Sequence, residues 1–322
     1  MSAPGKAAAR DSRLPGTMVY TFLGPEGTFT EAALLQVPGA EEAVRIPSSS
    51  VNAALEMVRS GHANAAVVPI ENSVEGGVSA TLDAISVGQP LRILREILVP
   101  ITFVLAVRPG IELADIRRVS THSHAWAQCR NWAEANIPQA EYLPSSSTAA
   151  AAVGLADEEA GFDAAICAPL VASRLGLNVI ARGIGDYAEA VTRFILVSLP
   201  GLLPEPTGAD KTTVVIPLPE DRPGALMEIL EHFMARGVNL SRIESRPTGA
   251  FLGDYFFSID ADGHVFDARV ADALKGLHRV SPDLRFLGSY ARADYRRPEV
   301  LPHTSDQAFE AADQWLESLI NG

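Results

Sequence analysis

The chain has 322 residues, enough for about two domains and a sizeable core, so a minimal disulfide- or metal-stapled scaffold is excluded. Lys and Arg number 26 against 39 Asp and Glu, a formal net charge of −13, and so acidic a surface repels a phosphate backbone; no nucleic-acid partner is expected. Hydrophobic residues at 47% mark a globular chain, and the longest apolar run, Ile97 to Val107, is well under the roughly 18 to 20 residues that cross a bilayer, so no membrane partner is expected either.

Residues 1–17 are rich in Ala, Gly and Pro, with Lys6, Arg10 and Arg13 but no apolar h-region, so a secretory signal is excluded. They read as a mobile tail, with a transit-like segment and a start at Met18 as alternatives. Met18 to Leu23 then reads as a strand, and Thr28-Phe-Thr-Glu31 has the spacing of a capping box that opens a helix. Val51, Ala54, Leu55 and Val58 share one helical face that ends at Gly61, and Ala65 to Ile70 is a continuously apolar strand of the kind a parallel sheet buries on both sides. A strand near Arg117 to Thr121, a helix through Trp126 to Ala135, a helix at Thr148 to Ala156 and a buried strand Asp163 to Cys167 follow, and Thr192 to Leu199 closes the block. With Ile97 to Val107 near its middle, residues 18–200 read as two lobes, roughly 18–97 with 180–200, and 98–179, around a ligand cleft.

Residues 201–210, with prolines and glycines in an otherwise ordered sequence, have linker composition. Over 211–292 the order is strand, helix, strand, strand, helix, strand, the ferredoxin-like split motif. Residues 293–322 form an extension in which Phe309, Trp315, Leu316, Leu319 and Ile320 lie on one helical side after a Thr304-x-x-Gln307 cap, a stripe for core packing or a subunit contact.

Several local clusters could carry chemistry. Gly24-Pro-Glu-Gly-Thr28 joins strand to helix, where backbone N–H groups can receive an anion, but it has neither a P-loop ending nor the G-x-G-x-x-G spacing; a plain turn is the alternative. Pro69-Ile-Glu-Asn-Ser73 ends a buried strand, the place where open α/β sheets bind ligands, although Asn72 or Ser73 could equally serve as a helix cap. Along the last strand of the block Thr192 and Phe194 share one face while Arg193 points the other way or sits at the mouth. His122 and His124 are spaced i, i+2, no metal motif supports them, and no metal is expected. Cys129 and Cys167 cannot form a disulfide framework and suggest a reducing, cytoplasmic setting.

Taken in order, Gly24-Pro-x-Gly-Thr28, Ile70-Glu-Asn-Ser73, Gln128-Cys129, Ser147-Thr148-Ala149, Thr192-Arg-Phe194, Arg222-Pro-Gly-Ala-Leu226 and Glu244-Ser-Arg-Pro247 resemble a prephenate dehydratase with a C-terminal ACT domain. The resemblance runs from Met18 to Tyr290, with departures at Ala190, where an Asn is usual, and at Ser123, where a Pro is usual. It implies a bilobal, periplasmic-binding-protein-like α/β domain and a ferredoxin-like regulatory domain, and conversion of prephenate to phenylpyruvate, water and carbon dioxide without a cofactor. It further implies that Thr192 assists the departing hydroxyl, that Arg193 with Thr28, Asn72, Ser73, Gln128 and Thr148 positions the two carboxylates, and that Phe194 packs on the ring. Phenylalanine is then the expected effector, bound at a subunit interface of a homodimer or homotetramer through Gly224, Ala225, Leu226, Asn239, Leu240, Glu244, Ser245, Arg246 and Pro247. Arogenate dehydratase, the same chemistry on the transaminated substrate, and a non-catalytic amino-acid sensor remain alternatives. A dianionic substrate entering a negative protein also requires a locally positive cleft, expected from Arg193, helix N-termini and His122.

Overall fold

The computed structural model describes residues 17–157, 159–218, 222–247 and 255–321. The N-terminal tail, but for Thr17, and most of the turn expected between Pro247 and Gly253 lie outside the described residues. In chain order the elements are β1 (Val19–Leu23), α1 (Phe29–Leu34), β2 (Val44–Ser48), α2 (Val51–Arg59), β3 (Ala65–Asn72), β4 (Gly76–Gly77), α3 (Ser79–Ser86), β5 (Arg92–Pro100) and β6 (Val104–Val107). Next come β7 (Arg118–Thr121), α4 (Ser123–Gln128), α5 (Arg130–Asn136), β8 (Glu141–Pro144), α6 (Thr148–Leu155), β9 (Ala164–Cys167), α7 (Pro169–Arg174), β10 (Asn178–Arg182) and β11 (Val191–Ser198). The remainder is β12 (Asp210–Pro217), α8 (Ala225–Met234), β13 (Leu240–Pro247), β14 (Tyr255–Asp262), α9 (Ala268–Val280), β15 (Arg285–Ala291) and α10 (Asp306–Asn321).

Side-chain caps start several helices where expected. Thr28 Oγ1 accepts the Glu31 N–H, Ser50 Oγ that of Ala53 and Ser147 Oγ that of Ala150, each satisfying an orphan donor of a first turn. Two helix expectations need correction. The run from Trp126 to Ala135 breaks at Cys129 into α4 and α5, and α10 is capped by Ser305, whose Oγ accepts the Ala308 N–H at 3.3 Å, because Thr304 is buried in the preceding 3₁₀ turn.

The first lobe is a sheet in the order β2-β1-β3-β11-β5, with β4 paired to β3; the second is β10-β6-β9-β7-β8. Neither is purely parallel, as the apolar strands suggested. β1 runs parallel to β2 and β3, but β11 is antiparallel to both β3 and β5. The chain crosses once, after β5, builds the second lobe and returns, so β11 enters the first sheet from the opposite end. Burial on both faces makes a strand apolar throughout but does not encode its direction.

The third sheet, β13-β14-β12-β15, is the expected βαββαβ unit with α8 and α9 on one face. Its other face is sealed to the first lobe. Val215, Phe256, Leu287 and Tyr290 belong to the same apolar cluster as Leu91, Ile93, Ile195 and Val197, so the two units share a core rather than a loose tether. Gly288, at φ +138°, makes the approach of β15 to β5 possible: a Cβ there would lie 2.5 Å from the Ile93 carbonyl oxygen. Arg92 reinforces the seam, donating to the Phe286 carbonyl and lying 4.8 Å from the centre of its ring.

α10 packs against α9, yet Trp315, Leu316, Leu319 and Ile320 are exposed, so the stripe is not core within one chain. Replacing Gly288 by Ala sets a β-carbon against backbone that cannot yield, at a φ that L side chains rarely adopt, and is expected to lower stability by about 3 kcal/mol. Urea unfolding followed by fluorescence reads this directly, and a wild-type midpoint would mean that the seam is not closely packed at Gly288.

Candidate active site

A cleft of about 400 Å³ lies between the lobes. It is built at the carboxyl ends of β1, β3 and β7 and just beyond β8, where Leu23, Asn72, His122 and Ser146 line it, as expected for α/β sheets. β11, running the other way, brings its N-terminal end to the same place.

Of the residues expected here, Thr28, Asn72, Gln128, Thr148, Thr192 and Phe194 all line the cleft. Thr192 and Asn72 are cross-strand partners, and Asn72 Nδ2 donates to Thr192 Oγ1 at 2.8 Å. The Asn72 amide cannot turn over, because its Oδ1 accepts the N–H groups of Val74 (2.8 Å) and Glu75 (3.2 Å). Thr192 Oγ1 therefore receives a hydrogen bond from Asn72, and its own proton is free to point into the cleft. Phe194, buried at 2% exposure, presents its ring two residues along the same face, and Phe29 and Phe103 add an edge-to-face pair at 5.7 Å across the lobes.

Ser73 does not line the cleft; its Oγ accepts the Val191 N–H and anchors the start of β11. Arg193 requires a larger correction. Strand alternation turns it away from Thr192, and its guanidinium is buried against the βαββαβ unit: Nη1 donates to Asp260 at 2.5 Å, Nη2 to Tyr290 at 2.8 Å, and Nε lies 2.6 Å from Glu96. It cannot position a ligand in the cleft from there. Burial alone would push the Asp260 carboxyl up, but the Arg193 and Arg242 guanidiniums hold it well below the usual carboxylate range.

Among the described residues, no Lys or Arg lines the cleft. What the lining offers an anion instead is a set of helix starts. The N-terminal ends of α1, α2, α3, α4 and α6 are represented in the lining by Thr28, Ser49, Val78, His122 and Ser147. Each contributes unpaired N–H groups and the positive end of a peptide dipole, which together can hold anions. His122 is held largely neutral: burial lowers its pKa, His124 beside it lowers it further, and Glu75 opposes both.

Glu75 and His124 were not singled out as site residues, though both line the cleft. The His124 Nδ1–H donates to Glu75, and Gln128 Nε2 donates to the other carboxylate oxygen at 3.2 Å, so the Asn72–Glu75 turn of the first lobe touches α4 of the second. The His-x-His spacing is visible but is rejected as a metal site, His122 alone is expected at the cleft, and only the fold brings His124 to Glu75. On the far side of the cleft, Arg174 of α7 forms a bidentate pair with Glu31 of α1 at 2.5 and 2.8 Å, and Glu31 accepts the Gly27 N–H at 2.6 Å. Gly27, at φ +80°, packs where a Cβ would lie 2.6 Å from Val171.

Of the residues expected in an effector site, Gly224, Ala225, Leu226 and Ser245 line a separate pocket of about 270 Å³ at the start of α8. Asn239 lines a different cavity, of about 670 Å³, and Leu240, Glu244, Arg246 and Pro247 line neither. Arg246 instead makes a bidentate pair with Asp83 of α3 at 3.0 and 2.9 Å.

Comparison with known proteins adds to this geometry. The family described as prephenate dehydratase matches residues 20–201. A prephenate dehydratase of Mycobacteroides abscessus is 45% identical over 294 residues, covering 89% of this chain and 94% of its own. The crystal structure of a prephenate dehydratase from Arthrobacter aurescens in complex with L-Phe is 69% identical, covers 95% of this chain and all of that one, and superposes with a TM-score of 0.91. A structure described as GqqA, a novel type of quorum quenching acylase, is 29% identical over 86% of this chain, with a TM-score of 0.75.

An anion in the cleft favours the charged form of His122, so binding raises the imidazole pKa and takes up a proton. Affinity for a dicarboxylate should therefore rise as pH falls from 8 toward 5.5, and His122→Gln should flatten that rise. Titration calorimetry across the range checks both; an equally steep profile in the variant would remove His122 from the site.

Proposed function

The chain belongs to the prephenate dehydratase family and acts in phenylalanine biosynthesis, and from that premise we propose how its cleft performs the reaction. As the bond between the ring and its carboxylate breaks, the electron pair passes through the ring diene and expels the hydroxyl opposite, leaving carbon dioxide, an aromatic ring and hydroxide that takes a proton to become water. The reaction loses two small molecules and gains aromaticity, so the enzyme must hold the dianion in its reactive geometry and ease the departure of hydroxide.

The observation that carries the reading is the Asn72–Thr192 hydrogen bond. With its lone pair engaged by Asn72, the Thr192 hydroxyl is oriented to donate to the leaving oxygen. A threonine hydroxyl is too weak an acid to protonate hydroxide outright, so its contribution is a preorganised hydrogen bond that strengthens as charge develops. Phe194 packs on the ring, and the helix starts around Thr28 and Thr148 receive the carboxylates, with Gln128 held ready by Glu75. Prephenate, rather than arogenate, is the substrate we favour, because the one carboxylate lining the cleft among the described residues, Glu75, is already engaged by His124 and Gln128 and is not free to meet an ammonium group.

The βαββαβ unit is read as the regulatory domain, with phenylalanine as its effector. The pocket at Gly224 to Leu226 supplies a helix N-terminus for the carboxylate and an apolar wall from Leu218, Met227 and Phe257 for the ring. Leu240 stands at the other end of β13 from Ser245, five residue steps or about 17 Å away, and Asn239 one residue further, so they cannot complete that pocket within one chain. β13 is also the free edge of its sheet, with Leu226, Met227, Met234 and Ile243 exposed around it. These features support a homo-oligomer, dimer or tetramer, in which a second copy brings its Asn239 to the pocket. We also place the enzyme in the cytoplasm, consistent with two buried free cysteines whose thiols burial pushes up to about 12.

Thr192→Ala should lower kcat by about 10²- to 10³-fold, while Thr192→Ser keeps at least a tenth of the wild-type rate. Single-turnover conversion of prephenate, read as phenylpyruvate enolate absorbance in alkali, measures both, and an unimpaired Ala variant would refute the role. L-phenylalanine should inhibit turnover and, at one hundred times its Kd, stabilise the fold by about 2.7 kcal/mol in a thermal scan. Asn239→Ala should weaken both responses and leave kcat unchanged; a full response in that variant would contradict the two-chain pocket.

A further inference from the structure

Strand β11 presents Thr192 to the cleft and, one residue on, sends Arg193 into the seam with the regulatory unit. The pairing of β11 with β3 shifts register between Arg193 and Phe194, one pair beyond Thr192–Asn72, so Arg193 stands between Thr192 and a bulge in the ladder. What holds Arg193 therefore holds that bulge. Its guanidinium lies in a closed ring of polar contacts. Arg193 donates to Tyr290, Tyr290 and Thr213 share a hydrogen bond of 2.6 Å, Thr213 donates to Asp260 at 2.7 Å, and Asp260 accepts from Arg193. Asp260 also accepts from Arg242 of β13, at 2.9 and 3.2 Å. Arg193, Arg242 and Asp260 are all buried, Asp260 with no exposure at all.

β13 alternates in the same way as β11. Ser245 faces the pocket at the start of α8, whereas Arg242, Glu244 and Arg246 face the catalytic lobes: Arg246 grips Asp83, and the Glu244 carboxylate occupies the space into which a Cβ on Gly77 would project, on the strand paired with Asn72. A displacement of β13 by a ligand on its one face therefore moves charged groups seated on its other.

We propose that Asp260 and Arg242 are positioning residues for the dehydration, and that the buried relay Arg242–Asp260–Arg193 holds Thr192 in register with Asn72 and passes the state of the effector pocket to it. This rests on the reading of Thr192 as the group that assists the leaving hydroxyl. Burying Arg193 and Arg242 around Asp260, with the Glu96 carboxylate also at Arg193 Nε, is a poor way to gain stability but a good way to specify one geometry, because a shift of any member leaves a charge poorly paired. Coupling of this kind needs a contiguous element that both sites bias, and β13, β14 and β11 form one.

The test uses the full-length enzyme. Asp260→Asn should lower kcat at least tenfold with the KM for prephenate within about twofold. Its combination with Thr192→Ser should be no slower than the slower single variant, because both act through one hydroxyl. Losses that multiply in the double variant, or a wild-type kcat in Asp260→Asn, would overturn the proposal. Should circular dichroism show that Asp260→Asn does not fold, Tyr290→Phe, which removes one partner of Arg193, should lower kcat about threefold at unchanged KM, and a wild-type kcat there would overturn the proposal equally. In Arg242→Gln, calorimetric affinity for L-phenylalanine should stay within threefold while maximal inhibition falls by at least half; undiminished inhibition would break the relay at that link. An unimpaired Thr192→Ala enzyme, by contrast, would refute the reading on which the proposal rests.

Discussion

The two-residue period of β11 is the constraint on which the remaining arrangement depends. A buried strand must satisfy what lies on both of its faces, and here one face is an aqueous cleft and the other a seam between folded units. Thr192 and Arg193 are adjacent in sequence, so the hydroxyl that faces the cleft and the anchor to the βαββαβ unit share a peptide bond. The strand between β3 and β5 is thereby the shortest mechanical connection between the two halves of the chain. The shared apolar cluster and the close approach at Gly288 make that connection stiff.

A dianion drawn to the cleft, as proposed, would enter a protein of net charge −13 without a lysine or arginine among the described lining residues. Helix starts and fixed amide and hydroxyl donors provide the attraction instead. This suits a reaction in which the bound molecule loses a carboxylate as carbon dioxide. A guanidinium clamp would be left holding a surplus positive charge after decarboxylation, whereas neutral donors adjust with little electrostatic penalty and let the monoanionic product leave. Such donors, preoriented by the folded backbone, need no reorganisation as charge moves from carboxylate to leaving oxygen.

Much of this was legible in the linear sequence, and the failures have physical causes. Thr28, Asn72, Gln128, Thr148, Thr192 and Phe194, expected at the site from the family resemblance, do line the cleft, because the motifs that carry it are strand ends and helix starts encoded within a few residues. Alternation showed that Arg193 faces away from Thr192, but not what it meets, since its partners Asp260 and Tyr290 lie 67 and 97 residues downstream. Glu75 and His124, 49 residues apart, escaped for the same reason. The direction of β11 was hidden because an apolar strand reads alike either way, and the break between α4 and α5 falls inside a run whose periodicity continues across it. Asn239 was expected in one effector site with Gly224, yet one chain keeps the two in separate cavities.

Two of the ion pairs that join the lobes differ in strength. Glu31 is almost wholly buried and gripped by both Nη atoms of Arg174, whereas Glu75 and His124 have side-chain exposures of 39% and 62%. A solvent-exposed pair contributes about 0 to 1 kcal/mol, so thermal motion breaks it readily, while the buried bidentate pair persists. Any parting of the lobes would therefore give way at Glu75 before it gave way at Glu31. Glu75 belongs to the same turn whose backbone fixes the Asn72 amide, so such a parting would act on the group that orients the Thr192 hydroxyl.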